Sequence, residues 1–208
     1  MPGDTSTIGC SAENLERILR TTQASEICPR SLQRNEVSTE SPQMQADPVL
    51  FVDIDGVISL WGFDTNARPA GTFHNVDGVM HFLSSGARNH LLTLSERFEL
   101  VWASGWEEKA NDHLPHALAL PRELPFLSFD PKPAGGHGHW KLAAIEAYAG
   151  PLRPLAWIDD AHDEACHAWA AGRRAPTLLV ATTPATGLTA DHVAELVAWA
   201  DGPGRGRG

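Results

Sequence analysis

Asp53 and Asp55 stand with Ile54 between them and Gly56-Val57 behind, directly after the apolar run Val49-Leu50-Phe51-Val52. A buried strand selects Val, Ile, Leu and Phe, so two acids at its end are unfavourable unless something nearby requires negative charge. In open α/β sheets such strand ends are also where ligands bind. Three further stretches carry groups that could meet them. Trp102-Ala103-Ser104-Gly105-Trp106 supplies a hydroxyl, His139-Trp140-Lys141 an ammonium, and Trp157-Ile158-Asp159-Asp160 a second acidic pair. Carboxylates gathered in one pocket repel one another by about 4 kcal/mol per pair at roughly 4 Å and an effective dielectric of about 20. A divalent cation resolves that repulsion, and an all-oxygen donor set suits Mg²⁺.

The elements that must position these groups follow from hydrophobic period. Strands are expected at Val49–Asp53, Phe98–Ala103, Leu155–Ile158 and Thr177–Ala181, with a weaker candidate at Leu124–Phe129. Helical spacing covers Ser84–Leu94 and Trp106–Leu118, the latter interrupted by Pro115. It returns over His139–Ala149, Asp163–Ala171 and Ala190–Ala200, the last begun by Thr189. Such alternation implies a parallel sheet with helices on both faces, and its strand ends gather along one edge. Ser59–His81 fits neither period and carries Trp61, Gly62, Pro69, Gly71 and Gly78, which suits a β-hairpin or compact loop arching over the first strand's end.

Taken in this order, the four stretches resemble the motifs of the haloacid dehalogenase (HAD) superfamily. Val-Asp-Ile-Asp-Gly-Val, Trp-Ala-Ser-Gly-Trp, His139-Trp140-Lys141 and Trp-Ile-Asp-Asp look like the HAD domain of Swiss-army-knife RNA-repair proteins, over roughly Pro48 to Ala200. The resemblance implies a three-layer α/β/α Rossmann-like fold with a mainly parallel sheet, a short flap and no large cap domain. It implies a Mg²⁺-dependent phosphatase in which Asp53 attacks phosphorus and Asp55 protonates the leaving oxygen, then deprotonates water. Metal contacts would come from Asp53, Asp159 and Asp160 and from the backbone carbonyl of Asp55. Ser104, Gly105 and Lys141 would hold the phosphate. The substrate would be a phosphorylated small molecule or a nucleic acid end.

Each element also has a plainer reading. Asp-x-Asp-Gly alone is an ordinary strand exit. Ser104-Gly105-Trp106-Glu107 fits a capping box, a role compatible with phosphate binding. Lys141 in the first turn of a helix is disfavoured by the macrodipole unless an anion is near, and Lys132 is its rival. Asp160 either contacts metal or caps the following helix. His137, His139, His162, Cys166 and His167 lack the paired spacing of a structural zinc site. Trp102 and Trp157 read as core, whereas Trp61, Trp106 and Trp140 flank the expected site and either pack or stack on a base or sugar. A non-catalytic interaction module on the same scaffold is the alternative reading of the whole, since fold alone does not separate the two.

The 208 residues, 42% hydrophobic and 20% charged, fit one domain over residues 48–200. Residues 1–47 are polar and poor in aromatics, with one short helical piece at Ala12–Leu19, and residues 201–208 are glycine-rich; both read as flexible tails. A net charge of −10 argues against a broad basic face for nucleic acid. The three cysteines, Cys10, Cys28 and Cys166, read as reduced thiols. With no leader pattern or apolar span in view, a cytoplasmic protein that does not enter a membrane is expected.

Overall fold

Val49–Val52 (β1) is buried at every position and forms the centre of the sheet. Its side chains alternate between the two faces: Leu50 and Val52 belong to one apolar cluster, Val49 and Phe51 to the other. The computed structural model describes residues 47–129 and 140–202. The expected tail through residue 46 with its helix Ala12–Leu19, together with Lys132, His137–His139 and residues 203–208, lies outside the described residues.

After β1 come β2 (Ser59–Leu60), β3 (Gly71–Val76), β4 (Val79–Ser84), α1 (Ala87–Leu94), β5 (Glu99–Trp102) and α2 (Lys109–Ala117). The chain continues with α3 (Leu142–Ala149), β6 (Leu155–Asp159), α4 (Glu164–Gly172), β7 (Thr177–Ala181) and α5 (Ala190–Asp201). Four strands lie in the order β5-β1-β6-β7, all parallel. The first cluster joins β1 to Leu91 and Leu94 of α1, Leu114 of α2 and Leu196 of α5. The second joins it to Ile145 of α3 and Cys166 of α4. Helices therefore cover both faces, which is the three-layer, mainly parallel α/β arrangement expected. The Thr189 side chain accepts from His192 N to cap α5, and β7 has the expected bounds.

Other boundaries move for local reasons. α2 starts at Lys109 rather than Trp106, because Glu107 takes a left-handed φ of 50°. It runs through Pro115 to Ala117 instead of breaking there, losing only the bond that position would donate. Leu124–Phe129 makes a single bridge, Phe126 to Trp102, since Pro125 has no N–H for a ladder.

The segment after β1 is a three-stranded antiparallel sheet, order β2-β4-β3, richer than the expected hairpin and running on to Ser84. Its β3–β4 turn is Asp77-Gly78, both left-handed at φ 52° and 89°, closing the Val76–Val79 pair. Two consecutive left-handed residues match the twist of the flanking strands, and Asp-Gly is among the dipeptides that adopt them readily. The base of this flap is tied down by Leu188 N donating to Val57 O and Trp61 N donating to Pro184 O, both at 2.9 Å. No large cap domain accompanies the flap among the described residues. Nor is any helix among them long and apolar enough to cross a membrane.

Candidate active site

Register alone brings three of the expected residues together. Val52 pairs with Trp102 on one side and Ile158 on the other, so Asp53 and Ser104 just beyond their strands and Asp159 at the end of β6 cluster at one sheet edge. Asp53 N still donates to Ile158 O at 3.1 Å, which fixes its backbone against β6. All three side chains are buried, Asp159 completely.

Lys141, immediately before α3, reaches into this edge and is itself buried. Its Nζ lies 2.9 Å from Asp53 Oδ2 and 2.7 Å from Asp159 Oδ2. It also sits 5.5 Å from the Trp140 ring centroid, and Trp140 packs edge-on against Phe129. Asp159 is held further: Oδ2 accepts from Trp157 Nε1 at 3.1 Å, and Oδ1 accepts from Ala161 N at 2.9 Å. Trp157 thus fills the core, as expected, while its indole N–H secures a site carboxylate.

Asp160 joins the group rather than capping α4. That cap is Asp163, whose side chain accepts from Cys166 N. Carboxylate oxygens of Asp53, Asp159 and Asp160 all lie within 4.8 Å of one another. Asp160 is seated over Gly56, where a Cβ would come within 2.4 Å of its Cγ and Oδ2. Gly56 also has a φ of 77°, so a side chain there is excluded twice.

Among the described residues, three carboxylates against one ammonium leave the pocket in deficit of positive charge. Burial pushes the Asp53 carboxyl up to about 6; Lys141 opposes that shift and Asp159 adds to it. Burial and then the Asp159 carboxylate push Asp160 up as well. An oxygen-only donor set with this deficit fits a hard divalent cation such as Mg²⁺, with Asp53, Asp159 and Asp160 as the residues that would hold it.

Asp55 lies just beyond Asp53 and is half exposed. Its Oδ2 accepts from Trp106 Nε1 at 2.9 Å, and its Oδ1 is 3.5 Å from His81 Nδ1 on β4. His81 also meets Ser59 Oγ at 3.0 Å and packs edge-on against Trp106, with ring centroids 4.6 Å apart. Trp106 had been expected to pack or to stack on a ligand; its polar end holds Asp55. His81 escaped the sequence reading because only the β4 register, set by a non-local pairing, aims it at the site.

The expected capping box does not form. Glu107 N bonds the Ser104 backbone carbonyl, and the Glu107 carboxylate accepts from Phe129 N at 3.1 Å. Ser104 Oγ and the N–H groups of Gly105 and Trp106 therefore make no hydrogen bonds among the described residues. Between the flap and α2 opens a cleft of about 450 Å³ lined by His74, Asn75, Leu83, Asp112, His113 and His116, none of them a residue of the acidic cluster.

A family model described as the HAD domain in Swiss Army Knife RNA repair proteins matches residues 49–193. No curated protein matches the chain.

Proposed function

Because the chain belongs to the family of HAD domains in Swiss Army Knife RNA repair proteins, we propose that it is a Mg²⁺-dependent phosphatase acting through an aspartyl-phosphate on nucleotide or nucleic acid ends. The observation that carries this reading is the buried Lys141 ammonium bridging Asp53 and Asp159, with Asp160 close by. A bridge of this kind fixes a carboxylate oxygen for attack and supplies positive charge where a phosphoryl group would arrive.

Asp53 attacks phosphorus, forming the Asp53 O–P bond as the P–O ester bond breaks and its electron pair passes to the leaving oxygen. Asp55 gives that oxygen a proton. Asp55 then takes a proton from water as the water oxygen bonds phosphorus and the Asp53 O–P bond breaks. Ester and water thus become alcohol and inorganic phosphate. Lys141, Ser104 Oγ and the Gly105 N–H supply positive charge and donors to the phosphoryl oxygens. Bound Mg²⁺ would neutralise the carboxylates and the transferring phosphoryl group.

The experiment is phosphate release from 3′- and 5′-phosphorylated oligonucleotides beside mononucleotides and a panel of small monoesters, with and without Mg²⁺. Activity that needs Mg²⁺ and disappears in Asp53→Asn supports the reading; its absence favours an interaction module. A rate on oligonucleotides that falls steeply with salt, unlike the rate on mononucleotides, assigns the polymer as substrate.

A further inference from the structure

Asp55 is gripped unequally at its two oxygens, and the grip says which of them moves the proton. We propose that Trp106, braced by the flap's His81, is a positioning residue that reserves Asp55 Oδ1 for proton exchange with the leaving group. This rests on the phosphatase reading above.

An indole N–H only donates and never titrates in this range, so the Asp55 oxygen facing it must present a lone pair. Trp106 Nε1 lies 2.9 Å from Oδ2, and because a carbonyl oxygen accepts better than a hydroxyl oxygen, this contact favours Oδ2 as the carbonyl oxygen of the protonated carboxyl. The transferable proton is left to Oδ1, the oxygen on the side of His81. Edge-on packing of His81 against Trp106 keeps the indole from swinging away, and the Ser59 Oγ contact at 3.0 Å holds the His81 ring in turn. Ser59 and His81 both belong to the flap sheet, so the aim of the acid is set by the flap. The leaving oxygen consequently approaches Asp55 from the Oδ1 side, next to His81.

The test is the dependence of kcat on leaving-group acidity. A 4-nitrophenolate departs without a proton, whereas an alkoxide such as a nucleoside hydroxyl requires one. In Trp106→Phe, kcat should fall about tenfold more for an alkyl or nucleoside phosphate than for 4-nitrophenyl phosphate, a fraction of what general acid catalysis contributes in full. Benzothienylalanine at position 106 keeps the ring shape and puts sulfur in place of the N–H, so it serves should the Phe variant not fold. Trp106→His, which retains a donor, should restore part of the wild-type dependence. An equal loss across all leaving groups overturns the inference and leaves the phosphatase reading intact. Absence of any Asp53-dependent hydrolysis by the wild type overturns both.

Discussion

Gly56 is the residue at which backbone and chemistry are least separable. Any Cβ would press into the Asp160 carboxylate, and the backbone is left-handed. Gly56→Ala should therefore cost about 1 to 3 kcal/mol of stability and weaken Mg²⁺ binding, read by thermal melting and by the Mg²⁺ concentration for half-maximal activity. Lys141 is the opposite case, a charge whose value lies in what it touches. Lys141→Gln leaves Asp53 and Asp159 without their shared cation. The expected outcome is a loss of kcat on the order of 10² to 10³, the range seen when one electrostatic donor is removed from a preorganised site. A loss below tenfold would assign the lysine to structure alone. Lys141 could be chosen from the sequence because a cation in the first turn of a helix is chemically conspicuous, whereas Gly56 acquires its role only from the Asp160 side chain above it. Trp106 and His81 could not be given their roles, because an indole aimed at Asp55 and an imidazole beside it are products of non-local pairing.

At the scale of elements, the period of hydrophobic side chains carried most of the information. β1, β5, β6 and β7 lie within a residue or two of their expected bounds, because each is a short apolar run with polar punctuation. The flap was harder. Its strands alternate poorly, since one face is turned to Asp55 and α2 while Phe73 and Met80 on the other remain exposed. The capping-box pattern at Ser104 misled for a different reason: Glu107 turns left-handed and spends its carboxylate on Phe129 N. Far from the site, Arg173 clamps two connections at once. It donates to Glu146, to the carbonyls of Gly150 and Arg153, and to Thr177 Oγ1 at 2.9 Å. Arg173→Ala should destabilise the fold by about 3 kcal/mol, because it removes a buried side chain together with its several hydrogen bonds. Because these contacts lie before β6 and at the amino end of β7 rather than at the strands' carboxyl ends, kcat should be unchanged at temperatures where the variant stays folded.

For the molecule as a whole, the excess of acids makes stability and cation binding a single question. Asp53 has its carboxyl raised from 3.8 to about 6, first by burial. The folded state then binds that proton more tightly than the unfolded chain, so the contribution is complete below 3.8 and is lost as pH rises through about 6. Glu99 is shifted the other way: burial pushes its carboxyl up, but the Tyr148 hydroxyl and Arg153 more than compensate and hold it below the ordinary range. Its stabilising effect is present above the unfolded value of 4.5 and is lost only as pH falls through the lower folded value, so it is constant from pH 5 to pH 7.5. Metal-free protein should therefore melt at progressively lower temperature from pH 5 to pH 7.5, and Asp53→Asn should flatten that slope. A ligand that binds only the folded state raises the melting temperature according to its occupancy, and Mg²⁺ requires the ionised carboxylate. The Mg²⁺-induced rise should thus be larger at pH 7.5 than at pH 5 and small in Asp53→Asn at either. Equal rises at the two pH values would place the cation elsewhere and leave Asp53, Asp159 and Asp160 as a cluster neutralised by Lys141 and protons alone.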